Sequence, residues 1–120
     1  MRLLPFVLLV AVSSVQAPSG AEVQCLAPDV RVTLSGFVVG GLFPGPPEYA
    51  SVAEGDEAYR AGFLYVDAPI CLTDGNAPTT MVQLVCADAD LPEGEVVSVT
   101  GTLFSAHTGY HRSPVLLACD

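Results

Sequence analysis

The only two histidines of the chain, His107 and His111, lie four residues apart in the segment SAHTGYHRSP. In an extended loop this spacing places both imidazoles on one side, close enough to share a metal ion with a third ligand. Neutral imidazole binds zinc and copper, and the thirteen acidic residues could supply carboxylate ligands. Structural zinc needs four protein ligands and catalytic zinc three, and the sequence has no H-E-x-x-H framework. The alternative is that His107 and Thr108 hold a turn through side-chain hydrogen bonds to the backbone.

Two serines near the histidines, and a group of carboxyl residues earlier in the chain, could in principle act in catalysis. Ser105 and Ser113 are close to the histidines in sequence, but loop neighbours do not supply the oriented third group and the oxyanion donors of acyl transfer. The acidic residues Glu54, Asp56 and Glu57 could in principle act on a glycan, although a solvated polar loop explains them more simply. We therefore expect a protein that is not an enzyme and that has no cofactor.

Two strands are predicted on either side of the histidine loop. Residues 96–104 alternate apolar and polar side chains with the period of two that is typical of a half-buried strand. Residues 115–119 follow Pro114 directly, and proline is tolerated just where a strand begins. The other predicted strands are residues 30–39, residues 61–66 continuing after a bend through residues 70–72, and residues 81–86, which could also be one helical turn.

Two glycines indicate how these strands are arranged. Gly36 and Gly101 fall in phase with the apolar side chains of their strands, and an inward glycine often marks the bend by which a small sheet coils into a barrel. Residues 40–49 contain three closely spaced prolines and are expected to form a stiff loop that is neither helix nor regular strand, and residues 50–59 are expected to be polar and turn-like. The predicted fold is all-β, a small five-stranded OB-like Greek-key barrel with at most one short helix. A β-sandwich usually needs about seven strands.

The N-terminal residues have the pattern of a secretory signal peptide. Arg2 precedes an apolar run, residues 3–12, that is too short to span a bilayer of about 30 Å. Cleavage is expected after Ala21, so that residues 1–21 form the signal peptide and residues 22–120 a single barrel domain. No later segment is predicted to span a membrane. We expect a periplasmic or secreted monomer.

The cysteine content predicts how the fold is stabilised, and the charge restricts the class of partner. An exported chain with Cys25, Cys71, Cys86 and Cys119 is expected to be stabilised by disulfides, and four cysteines allow three connectivities. No two of them have the C-x-x-C spacing of a zinc site. Four arginines, no lysine and a net charge of -9 exclude nucleic acid as a favoured partner. A cationic partner or a metal ion fits the charge better, although the acids could simply keep the protein soluble.

Several segments resemble a domain of unknown function that is found in exported bacterial proteins. The similar segments are FPGPPEYASVAEGDE (residues 43–57), DAPICL (67–72), MVQLV (81–85) and VTGTLFSAHTGYHRSPVLL (99–117). The resemblance covers nearly the whole mature chain and implies an OB-like barrel and an exported location, without an established activity. Where the family pattern reads H-T-G-H-H-H-T, this chain has Tyr110 and Arg112 in place of two histidines, which weakens the metal hypothesis.

The same resemblance implies how the cysteines pair. The family is expected to have cysteines at the positions that match Cys25 and Cys71, but apolar residues where this chain has Cys86 and Cys119. Each set should therefore form its own disulfide, Cys25 with Cys71 and Cys86 with Cys119.

OB-type barrels bind ligands on one sheet face, together with the loop after the first strand and the loop between the fourth and fifth strands. In this chain those loops are residues 41–59 and 105–114. A proline-stiffened loop loses little entropy on binding, and aromatic rings offer apolar area with few rotors. The candidate binding residues are Phe43, Tyr49, His107, Tyr110, His111 and Arg112.

We predict an exported, non-catalytic module that binds a protein or an envelope glycan. A periplasmic metal-binding protein that uses His107 and His111 is the alternative. For Phe43 and Tyr49, the alternative to a binding role is that their side chains only pack against one end of the barrel and close it.

Overall fold

A computed structural model of the protein describes residues 23–75, 78–86 and 92–120. The predicted signal peptide, residues 1–21, and its cleavage site before Glu22 lie outside the described residues. The strands are β1 Gln24–Leu26, β2 Arg31–Pro44, β3 Ala58–Leu72, β4 Thr79–Val85, β5 Val96–Ser105 and β6 Val115–Cys119, with one 3-10 turn at Val52–Glu54. Within these three ranges, no helix has the length and apolarity that crossing a bilayer requires.

Five of the strands close into a barrel. β2 pairs antiparallel with β3 and β3 with β4, β4 pairs parallel with β6, and β6 returns through antiparallel β5 to β2. This is the strand arrangement of an OB-like barrel, so the predicted fold class is confirmed. The three-residue strand β1, which the sequence analysis did not predict, lies outside the ring and pairs parallel with the end of β3.

The β2–β3 hairpin is longer than the sequence predicted. The expectation that residues 40–59 contain no regular strand was wrong at both ends, because β2 continues to Pro44 and β3 begins at Ala58, with Phe43 paired to Tyr59. Cross-strand pairing stabilises this extension although its sequence does not alternate. Pro44 fits because it is the last residue of β2, where the missing amide donor costs little. The connecting loop is reduced to residues 45–57.

The core fills the inside of the barrel, and Val38, Leu64 and Val82 lie side by side on three adjacent strands with no exposed surface. The two inward glycines lie where a neighbouring strand comes closest. A Cβ atom on Gly36 would lie 2.0 Å from the carbonyl oxygen of Tyr65, and one on Gly101 would lie 2.1 Å from that of Ala118. Only glycine permits these approaches, and they let the short strands coil into a closed ring.

Both disulfides pair as the family resemblance implied. Cys25 lies directly opposite Cys71 in the β1–β3 ladder, with Cα atoms 4.5 Å apart. Cys86 and Cys119 join the ends of the parallel strands β4 and β6, with Cα atoms 4.8 Å apart. One bond therefore attaches β1 to the barrel, and the other closes the seam between β4 and β6.

Candidate ligand-binding surface

The outer face of β2, β3 and β4 is unusually apolar and partly covered. Val39, Phe63 and Gln83 pair side by side across these strands, on the side opposite the core. Outward residues of a small barrel normally face water, yet only 4% of Phe63 and 5% of Gln83 is exposed. The loop between β5 and β6 folds back over Gln83, and the ring of Phe43 packs on Phe63.

Gln83 holds that loop in place. Its Oε1 accepts hydrogen bonds from the backbone N–H groups of Arg112 and Ser113, the latter at 3.3 Å, and its Nε2 donates to the carbonyl of Tyr110 at 3.0 Å. Gln83 was not among the candidate residues predicted from the sequence. The available signal was a single amide inside the apolar run MVQLV, because a buried polar side chain needs partners.

The Arg112 side chain ties the β5–β6 loop to the β2–β3 hairpin. Its Nε donates to the Tyr59 hydroxyl at 2.7 Å, and its Nη2 donates to the carbonyl of Pro44. The guanidinium carbon also lies 5.4 Å from the ring centre of Phe43 and 5.6 Å from that of Tyr59, within the range of a cation–π contact. Tyr59 in turn donates its hydroxyl proton to the carbonyl of Tyr110 at 2.9 Å. The Arg112 side chain is therefore fixed against the end of β2 and the beginning of β3.

The predicted aromatic candidates meet at this junction. Tyr110 contacts Tyr49 and Tyr59 edge-to-face, with ring centres 5.5 Å and 4.9 Å apart. The Tyr49 ring lies against Gly109, where an added Cβ would be 2.6 Å from it. Phe43 packs on Phe63 at 5.7 Å. Phe43 and Tyr49 thus lie on the outside of the barrel and join the two loops.

The loop between β2 and β3 is organised by Asp56. This buried carboxylate accepts three hydrogen bonds, from the backbone N–H groups of Glu48 at 2.9 Å, Ala50 at 2.8 Å and Ser51 at 2.9 Å. These bonds, led by the one from Ser51, hold the pKa of Asp56 below its usual value. The carboxylate therefore stays charged and keeps the proline-containing loop in one conformation.

The two histidines lie at the far end of the β5–β6 loop and contact each other. Their ring centres are 4.7 Å apart and nearly perpendicular. Nδ1 of His111 accepts hydrogen bonds from the backbone N–H groups of His107 at 3.0 Å and Thr108 at 3.3 Å. Burial, and secondly His107, lower the pKa of His111. The turn is thus held by the His111 ring and by the Thr108 hydroxyl, which accepts a hydrogen bond from the Tyr110 N–H at 3.2 Å. The sequence predicted that His107 and Thr108 hold this turn, but the His107 side chain makes none of these bonds.

Between the hairpin and Arg112 lies an open groove of about 220 Å³. Its lining residues are Val39, Gly40, Gly41, Phe43, Phe63, Met81 and Arg112. Gly41 creates the gap, since it leaves no side chain between Val39 and Phe43 on the outer face of β2. A Cβ atom at Gly41 would lie 3.4 Å from the Phe43 ring, an ordinary contact.

The groove continues along the sheet onto exposed aromatic side chains. Phe37 and Tyr65 are paired across β2 and β3, and 43% and 44% of their surfaces are exposed; Tyr65 is also paired with Met81 of β4. Apart from Phe43 and Arg112, the residues of this surface were not among the candidates predicted from the sequence. The signal was that β2 and β3 carry apolar residues in the phase that should face water.

A family model described as a domain of unknown function (DUF4431) matches residues 81–119. Over this segment the chain is similar to that family. The matched residues include most of β4 and all of β5 and β6, with Gln83, Tyr110 and Arg112. They also include the segments MVQLV and VTGTLFSAHTGYHRSPVLL, whereas the β2–β3 hairpin lies outside the match. Neither the curated proteins nor the solved structures give a match.

Proposed function

We propose that this protein is an exported, non-catalytic binding module that takes a protein or envelope partner on the outer face of β2, β3 and β4. The observation that carries the proposal is the apolar groove between Gly41 and Arg112, which continues onto exposed Phe37 and Tyr65. Concave apolar sites with a few placed polar groups are typical ligand sites, and this face with its two loops is where OB-type barrels bind.

The surface is preorganised. Gln83 fixes one loop, Asp56 fixes the other, and Arg112 joins them, all through hydrogen bonds to the backbone. Little conformational entropy is then lost when a partner docks, so that more of the contact energy is available for affinity. This supports recognition as the task of the two loops.

The residues that first suggested catalysis have structural partners. The Ser113 hydroxyl donates to the carbonyl of Met81, Ser105 donates to Asp74 at 3.0 Å, and the Asp56 carboxylate is occupied by three amides. These contacts support a module without catalysis. The two disulfides are typical of proteins from oxidising compartments, which supports export.

The test is to fill the groove without disturbing the fold. Gly41→Val places a branched side chain in the gap, while Leu42→Thr alters an exposed residue on the opposite face of the same strand. Tagged wild type and both variants are used to capture partners from periplasmic extract, and the captured proteins and glycans are compared. We expect the same partner with wild type and Leu42→Thr and its loss with Gly41→Val, all three having similar melting temperatures. Equal capture by Gly41→Val would refute the proposal.

Metal binding is the second candidate, favoured by the contact between the two imidazoles. It is supported less, because Nδ1 of His111 already accepts two backbone hydrogen bonds. In the part of the chain that the structure describes, no group of three or more histidine, cysteine, aspartate or glutamate side chains could hold an ion. We expect zinc and copper to leave the melting temperature unchanged. A rise that His107→Ala abolishes would favour the metal-binding function.

A further inference from the structure

Arg112 places a positive charge at the wall of an otherwise apolar groove. Of the described arginines, Arg31 pairs with Asp120 and Arg60 with Glu93, whereas Arg112 lies within ion-pair distance of no carboxylate that the structure describes. Its side chain contacts a hydroxyl, a carbonyl and two aromatic rings, none of which carries a compensating negative charge. In a chain with a net charge of -9, this uncompensated cation beside an apolar gap needs an explanation.

We infer that the partner inserts an apolar side chain into the groove and places a carboxylate beside it, and that Arg112 binds this carboxylate. The inference rests on the proposed function and names the chemistry of the partner: a polypeptide chain end whose last side chain is apolar, so that its terminal carboxylate lies next to that side chain. Arg112 then determines specificity, and the apolar lining supplies most of the contact area.

The guanidinium is suited to this role because only part of it is in use. Arginine has five N–H donors, and here Nε donates to Tyr59 and Nη2 to Pro44, which leaves the others for a ligand. Its contacts with the rings of Phe43 and Tyr59 keep it oriented before the partner arrives. A fixed, planar guanidinium binds a carboxylate through short, charge-assisted hydrogen bonds.

The size of the groove and the charge of the chain restrict the ligand further. A volume of about 220 Å³ is below the roughly 300 to 1,000 Å³ of sites that enclose drug-sized molecules, and it suits one large apolar side chain. Extended polyanions are repelled by the net charge of -9, since a single arginine cannot offset thirteen acids at long range. A lone carboxylate that is held at short range by Arg112 avoids most of that repulsion.

N-acetylphenylalanine and its amide are a matched pair of probes, because they have the same shape and differ in the carboxylate. Each is titrated into the full mature protein, and binding is followed by NMR at the Gly41 amide and the Met81 methyl group. We expect the acid to shift both signals and to bind at least about fivefold more tightly than the amide, as a charge-assisted contact to arginine predicts. The preference should weaken in 1 M salt, where exposed charges are screened.

Two variants assign the preference to Arg112. Arg112→Gln should bind acid and amide alike, whereas Arg112→Lys should retain part of the difference because it keeps the charge; the amide spectrum of each variant verifies its fold. The inference is overturned if wild type binds both probes equally, if neither probe shifts the groove signals, or if Arg112→Gln still prefers the acid. If Gly41→Val loses the captured partner and any of these results is also found, the binding function is supported but the role of Arg112 in binding a carboxylate is refuted.

Discussion

Replacing Gln83 with leucine should detach the loop that covers the outer sheet face. The change keeps the size of the side chain but makes it apolar, and it removes both acceptor bonds from Arg112 and Ser113 and the donor bond to Tyr110. A net hydrogen bond contributes roughly 1 kcal/mol, and a buried amide left without a partner costs roughly 1–3 kcal/mol. Gln83→Leu should therefore lower the free energy of unfolding by about 2–4 kcal/mol, a large share of the ~5–15 kcal/mol typical of a domain.

Urea denaturation followed by circular dichroism measures this change. With a slope of about 1–3 kcal/mol per molar urea, the midpoint should fall by about 1 M or more while the slope stays the same. Hydrogen exchange of the Arg112 and Ser113 amides should accelerate, because both lose their acceptor. Thr80→Val, an exposed position on the same strand, is the control and should change neither quantity. A native midpoint in Gln83→Leu with both amides still protected would refute the assignment.

Two further predictions concern the ends of the barrel. The pKa of His111 lies below its usual 6.5 in the folded protein, so that the unfolded chain binds the proton first as the pH falls. Stability should therefore decrease from about pH 7 toward pH 5, as melting temperatures will show, and His111→Asn, whose amide oxygen accepts but does not titrate, should remove this decrease. Replacing both Cys86 and Cys119 with serine removes a disulfide whose cysteines are 33 residues apart in sequence. The loss of this restraint on the unfolded chain should lower the free energy of unfolding by about 4 kcal/mol. Urea denaturation should show a loss of up to that size, and an unchanged midpoint would mean that the seam between β4 and β6 is held by other contacts.

The sequence was sufficient for the barrel because its signals are local. Alternation in the strands, the bend near Pro69, which the structure shows as a register shift in β3 between Tyr65 and Ile70, and the inward glycines at Gly36 and Gly101 all report on neighbouring residues. The pairing of the strands was harder to predict from the sequence. The extension of β2 to Pro44 depends on residues 58–61 lying opposite, and β1 depends on the end of β3, so neither has a strong signal of its own.

For the candidate surface, residue type identified the two loops but not the groove. Phe43, Tyr49, Tyr110 and Arg112 attract attention as aromatic or charged residues in loops, and the structure brings all four to one junction. The groove itself arises from a missing side chain at Gly41, which nothing in the sequence distinguishes from the other glycines.

The position of Arg112 explains why stability and recognition should be linked on this surface. The guanidinium donates two hydrogen bonds that hold the loop against the hairpin, and the same bonds fix the direction in which its remaining donors point. The two roles can be separated experimentally, because Gln83→Leu and Arg112→Lys disturb different parts of the arrangement. Loss of Gln83 releases the loop backbone while the charge remains, whereas lysine keeps the charge and loses the planar set of donors. If Arg112 only fastened the loop, the two variants would weaken ligand binding in proportion to their loss of stability. If it binds the carboxylate, Arg112→Lys should lose affinity for the acid out of proportion to its change in stability.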